Sequence, residues 1–271
     1  MWFVLSLLTA LLESLKDVSS KKSLRFKDPV TVAWYLNFIS IFVLLPLLSS
    51  FKITASFWFA LGVSGGINIL TAFLYMKALK VSDISVTVPM INFTPAFLLI
   101  MSPLILGEIP SLPGIIGVIF ITLGAYILTS DKLSSPLKSL MKESGPKIML
   151  LIAFLWSITS NFDKIGVTSS SPILWAFSVH LLITLALTPF VIKKIRFEKE
   201  LLLPGIFNGL RAITQMTALT MTYVAYVISI KRLSTVFGVI FGYLLFKEKS
   251  FKQRLLGSIV MFIGVLIIAL S

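Results

Sequence analysis

The 271-residue chain is 57% apolar and only 13% charged, which excludes an ordinary water-soluble enzyme or binding domain. Its net charge of +13 sits in clusters between apolar runs, so it reads as a topology signal and not as a nucleic-acid-binding face. Cysteine is absent, which rules out disulfides, thiolate metal sites and a cysteine nucleophile.

Roughly 20 apolar residues cross a hydrocarbon core about 30 Å thick. Ten such runs follow one another, at about 2–19, 30–50, 56–77, 83–102, 112–130, 147–166, 172–192, 201–222, 225–246 and 254–270. They are too long and uniform for buried strands and predict an all-α membrane protein with ten transmembrane helices. The first run lacks a basic start and runs into Glu13, Lys16 and Asp17, so it is read as a retained helix and not as a cleaved signal peptide. Those three residues stand at i, i+3 and i+4 and share one helix face, as a self-neutralising packing group or as part of a site. In the third run Asn68, Thr71 and Tyr75 make a polar stripe. The fourth holds Pro89, Pro95 and Pro103, which remove backbone hydrogen bonds and predict kinks. The stretch around Asp131–Lys147, with Pro136, serines and mixed charge, reads as a linker.

The seventh run contains a lone histidine, His180, either a packing residue or a proton relay. The eighth places Arg211 between Asn208 and Gln215 on one stripe. The ninth holds Lys231 and Arg232, which point about 100° apart on a helix and are not expected to face one cavity fully. A charge at mid-membrane costs roughly 2.5–3.5 kcal/mol on insertion scales, so each must face a partner, water or a ligand. That cost makes Lys16, Asn68, Thr71, Tyr75, Arg211, Gln215, Lys231 and Arg232 the candidate substrate-binding residues. Glu13, Asp17 and His180 are candidates for ion coupling. Glycine pairs such as Gly62–Gly66 and Gly238–Gly242 suit close helix packing. No HExxH, P-loop, GxGxxG or histidine cluster is present, so an enzyme, a metal and a cofactor are not expected.

The chain repeats itself. At an offset of 143, Pro29 meets Pro172, Pro46 meets Pro189 and Ser14 meets Ser157. From the third run the offset is 140, and Gly65, Asn68, Phe97, Glu108, Gly117 and Gly124 meet Gly205, Asn208, Phe237, Glu248, Gly257 and Gly264. Five helices per copy is odd, so the second copy enters the membrane inverted, as in many alternating-access carriers. The predicted units are residues 1–130, a linker at 131–146 and residues 147–271. Glu108 and Glu248 recur at equivalent helix ends and read as structural groups capping the following helix. Alternate loops, from Lys21 to Lys27, Lys77 and Lys80, Lys132 to Lys147, Lys193 to Lys199 and Lys247 to Arg254, hold eighteen lysines and arginines. The other face has only Lys52 and Lys164. The basic face is therefore expected in the cytoplasm and both termini outside it.

Tyr75-Met-Lys-Ala-Leu-Lys80, the Gly107-Glu108 to Gly117 stretch with Gly124, and their second-half echo through Ile230-Lys-Arg-Leu-Ser234, Glu248, Gly257 and Gly264 carry a resemblance. Over nearly its whole length the chain resembles the EamA family of the drug/metabolite transporter superfamily. The resemblance implies two five-helix domains and a carrier for amino acids, metabolites, drugs or sugars. Lys231-Arg232 also resembles a phosphate-holding pair in related sugar-phosphate and nucleotide-sugar exchangers. The chain departs from the family in one respect, since many members are expected to have cytoplasmic termini.

The expected function is a secondary transporter that moves a small polar or anionic metabolite across the cell membrane by rocking of the two halves. A flippase for lipid-linked substrates, or a lipid-binding membrane protein, is the alternative. Expected partners are a small-molecule metabolite and membrane lipids, with no nucleic acid, in a monomer or homodimer.

Overall fold

The computed structural model describes residues 1–24, 29–48, 53–82, 87–129, 144–195, 198–246 and 251–271. Among them are eleven α-helices and no strand. The first half contributes α1 (Trp2–Leu24), α2 (Pro29–Leu44), α3 (Ala55–Val81), α4 (Thr94–Leu106) and α5 (Leu112–Thr129). The second half contributes α6 (Ser144–Thr168), α7 (Pro172–Val191), α8 (Lys199–Leu219), α9 (Val224–Lys231), α10 (Ser234–Phe246) and α11 (Phe251–Leu270). Most of the predicted linker and Glu248 lie outside the described residues, while Gly145 and Pro146 already belong to α6.

Seven described stretches are helical, long and apolar enough to cross a membrane: Pro29–Leu47, Ala55–Ala78, Val88–Leu106, Leu112–Thr129, Ser144–Thr168, Pro172–Val191 and Val224–Phe241. The remaining three of the ten expected runs fall in α1, α8 and α11. Glu13, Lys16 and Asp17 interrupt the apolar character of α1, and Lys199, Glu200 and Arg211 that of α8. In α11 the apolar helix Leu256–Leu270 is shorter than the seven. Large side chains such as Trp58, Phe59, Ile100, Leu104, Leu244 and Phe262 stand exposed, as the outside of a protein in lipid requires.

Local chemistry sets the helix ends. Ser171 accepts the N–H of Leu174 at 3.2 Å and Pro172 follows it, an N-cap with proline in the first turn of α7. Gly107 ends α4 in the left-handed region at φ 69°, which lets its N–H and that of Glu108 reach the carbonyls of Pro103 and Ser102. Of the three prolines expected to kink the fourth run, only Pro103 lies inside a helix. Pro89 starts a 3-10 segment, Val88–Phe93, and Pro95 lies in the first turn of α4.

The helical path breaks at the same place in both halves. In the first, the 3-10 segment gives way to α4 at Thr94. In the second, α9 ends at Lys231 and α10 begins at Ser234, the residue equivalent to Thr94. The turn between them is closed by three-residue bonds, from Arg232 N to the Ser229 carbonyl and from Leu233 N to the Ile230 carbonyl, both 2.9 Å.

The halves pack through each other. The extensive pairings are α5 with α11, α3 with α6, α1 with α8, and α2 with both α8 and α7, each joining one half to the other. All but α2 with α8 run antiparallel. Along α5 and α11, Gly117 lies against Gly264 and Gly124 against Gly257. A Cβ added at any of the four would meet a glycine carbonyl oxygen of the opposite helix at 2.6–2.8 Å, so only glycine permits the approach. Gly117 and Gly257 are repeat equivalents, as are Gly124 and Gly264, so the seam maps onto itself when the repeats are exchanged. Gly62 and Gly66, expected to mediate packing, have open space where a Cβ would stand.

Candidate functional site

The charged face of α1 lies where α1, α8 and α9 meet. Glu13 Oε1 accepts Lys16 Nζ at 2.7 Å, and Lys16 Nζ also lies 3.2 Å from Asp17 Oδ1. The other carboxylate oxygen, Glu13 Oε2, is 3.2 Å from Arg211 Nε and 3.7 Å from Lys231 Nζ. Among the described residues no hydrogen bond reaches this buried oxygen, so both approaches are electrostatic and neither fixes a direction. The side chains of Glu13, Lys16, Arg211 and Lys231 are at most 19% exposed, whereas Asp17 is 63% exposed.

The guanidinium of Arg211 is held by its own helix. Its Nη1 donates to Gln215 Oε1 at 2.9 Å, and its Nη2 and Nε donate to Asn208 Oδ1 at 3.2 and 3.3 Å. Asn208 is anchored in turn by donating to Ser40 Oγ on α2 at 2.9 Å. Arg232, beside the helix break, is near enough to Glu13 to interact with its charge, and its buried Nε has no partner. The group therefore sets four cations, Lys16, Arg211, Lys231 and Arg232, against the carboxylates of Glu13 and Asp17, with the buried Asp163 near enough to Arg211 and Lys231 to interact with their charge. Buried charge is tolerable only when paired, and here positive charge is in excess.

The candidates divide accordingly. Glu13, Lys16, Asp17, Arg211, Gln215 and Lys231 come together, and Tyr75 lies close enough to feel the charges of Asp17, Lys16 and Glu13. Asn68 is used within α3 and Thr71 at the α3–α6 seam. Asn68 donates to the Ser64 carbonyl at 2.9 Å, and Thr71 Oγ1 accepts Trp156 Nε1 at 3.1 Å. His180 is buried against Asn37. Trp156 and Thr71 are the repeat equivalents of Glu13 and Arg211. The same contact is thus a neutral hydrogen bond in one half and an ion pair in the other.

Sequence reading missed two charged residues of α6. Asp163 is buried, and its Oδ1 accepts Ser64 Oγ at 2.7 Å and Trp175 Nε1 at 3.2 Å, tying α6 to α3 and α7. Lys164, counted with the loops of the sparse face, lies inside α6, where it pairs with Glu108 and donates to the Thr222 carbonyl at 2.7 Å. Both lie within the predicted sixth run, and a search for charge inside the runs would have found them. Glu108 is a cap, but not of the helix that follows it: its Oε2 accepts the N–H of Val224, the first residue of α9, at 2.9 Å.

The model of the EamA-like transporter family matches residues 1–130 and again 144–270, one match for each half of the chain. The chain belongs to this family, within the drug/metabolite transporter superfamily, and is a multi-pass membrane protein. It is 28% identical over 204 residues to an uncharacterized transporter of Archaeoglobus fulgidus, covering 72% of this chain and 70% of that one. A protein known from a crystal structure shares the fold with a TM-score of 0.80 at 13% identity, over 99% of this chain and 96% of the other.

Proposed function

We propose that the protein is a secondary transporter that moves a small polar or anionic metabolite across the cell membrane by alternating access. In this reading all ten runs cross the bilayer as two inverted five-helix repeats, and the basic loops face the cytoplasm. Both ends of the chain lie on the opposite side. The observation that carries the reading is the buried excess of positive charge around Arg211 and Lys231, beside a break in the helical path. Non-helical backbone at membrane depth is tolerated where it is buried or lines a water-filled cavity. Arg211 would bind the anionic group, Lys231 and Lys16 would add charge, and Gln215 and Tyr75 would orient the rest of the substrate.

A thermal-unfolding screen of the purified protein against amino acids, organic acids, sugar phosphates and lipophilic cations tests the reading, because a bound compound stabilises the folded state by mass action. Stabilisation by an anion class that is lost in Arg211→Ala supports it. Stabilisation by cations alone, or one indifferent to Arg211→Ala, removes the anionic site.

A further inference from the structure

The weakest contact in the charged group is the one at its centre. Glu13 holds Lys16 firmly through Oε1, while Oε2 rests between Arg211 and Lys231 without accepting a hydrogen bond. Around that oxygen, donor capacity is unspent. Lys231 donates no hydrogen bond among the described residues, its approach to Oε2 being 3.7 Å, and Arg232 Nε has no partner. Arg211 is pre-aimed by Asn208 and Gln215, neutral residues that leave its charge to be met by Glu13 Oε2. Oε2 hydrogen-bonds neither Arg211 nor Lys231, whereas an anion with two or three free oxygens can bond both.

We propose that Glu13 is an internal competitor for the anion site. Its Oε2 occupies the place that the carboxylate or phosphate of a substrate takes between Arg211 and Lys231, and the incoming anion turns Glu13 back onto Lys16. This rests on the carrier reading above and adds a consequence: the empty site never holds bare positive charge. A substrate that leaves is replaced by Glu13 and one that arrives displaces it, so Glu13 sets the affinity while Arg211 makes the contact.

The test uses inorganic phosphate and acetate as probes on the purified full chain, with chloride at equal ionic strength as the reference, and reads apparent Kd from thermal unfolding. If Glu13 holds the site about nine-tenths of the time, Glu13→Gln binds phosphate about tenfold more tightly than the unsubstituted protein. Glu13→Ala, which vacates the place altogether, is stabilised by acetate more than the unsubstituted protein is. Arg211→Ala abolishes both responses. Unchanged or weaker binding in both Glu13 variants, with the Arg211→Ala loss intact, overturns the proposal and leaves the carrier reading standing. Failure of both Glu13 variants to fold makes Glu13 a structural neutraliser and overturns it as well. No response in any protein, or one untouched by Arg211→Ala, overturns both.

Discussion

Asn37 Oδ1 lies 2.6 Å from His180 Nδ1, and the two residues hold the same position in the two repeats, 143 residues apart. A bond between symmetry mates forms only where the axis relating them passes between them, so this contact marks the axis at the crossing of α2 and α7. The amide oxygen can only accept, which places the hydrogen on Nδ1.

Substituting Asn37→Ala leaves that buried N–H without a partner and is expected to cost about 1–3 kcal/mol. Thermal unfolding of the purified protein should show the loss, and His180→Asn with Asn37 intact, which keeps a donor and an acceptor beside it, should cost less. Anion-induced stabilisation should be unaffected by either change.

The glycine seam gives a contrast within one residue type. Gly124→Ala would put a methyl group 2.7 Å from the Gly257 carbonyl oxygen, and Gly264→Ala one 2.6 Å from that of Gly117. Backbone cannot rotate away, so each should destabilise by about 1–3 kcal/mol or more. Gly62→Ala and Gly66→Ala meet open space and should express and unfold like the unsubstituted chain.

Glu108 joins Lys164 of α6 to the first N–H of α9. Glu108→Gln weakens both contacts, and about 1.5–3 kcal/mol is expected for a hydrogen bond to a charged group. Amide exchange at Val224 should accelerate before that of the interior of α6. Exchanging the pair, Glu108→Lys with Lys164→Glu, should restore the ion pair but leave Val224 fast.

The equivalent contacts Trp156–Thr71 and Glu13–Arg211 should respond differently. Trp156→Phe removes a neutral interhelical bond, for which about 0.6 kcal/mol is a membrane-protein average. It should leave anion-induced stabilisation intact, whereas Arg211→Ala should abolish it.

The duplication was legible at single-residue resolution, because helices that must mate with their own copies keep the glycines, prolines and asparagines their contacts require. Its offsets pair Asn37 with His180 and Gly117 with Gly257 before any coordinates are consulted. The grouping of Glu13, Lys16 and Asp17 was legible from helical spacing, since buried charge admits few arrangements. The end of α9 at Lys231 was not. Neither proline nor glycine marks it, and three-residue backbone bonds close it. The partners of Asn68 and Thr71 were not legible either: spacing gives a shared face, but not that Asn68 bonds back to Ser64 while Thr71 meets Trp156 of α6. Lys164 escaped because a cation near the end of an apolar run has the signature of a loop.

The contact between α5 and α11 brings backbone against backbone at its four glycines, with Ile121, Leu128, Met261 and Ile268 packed around them. Two helices joined in this way are held in close register, although they come from different halves of the chain. The ion-paired α1 and α8, and α6 bound to α3 through Asp163 and Trp156, likewise unite elements of different origin. The boundary between the repeats in the sequence is therefore not a boundary in the packing, since each of these seams joins one repeat to the other. Cutting the chain near residue 140 would separate partners, not machines, and each fragment alone would carry a glycine groove shaped for a helix it does not possess.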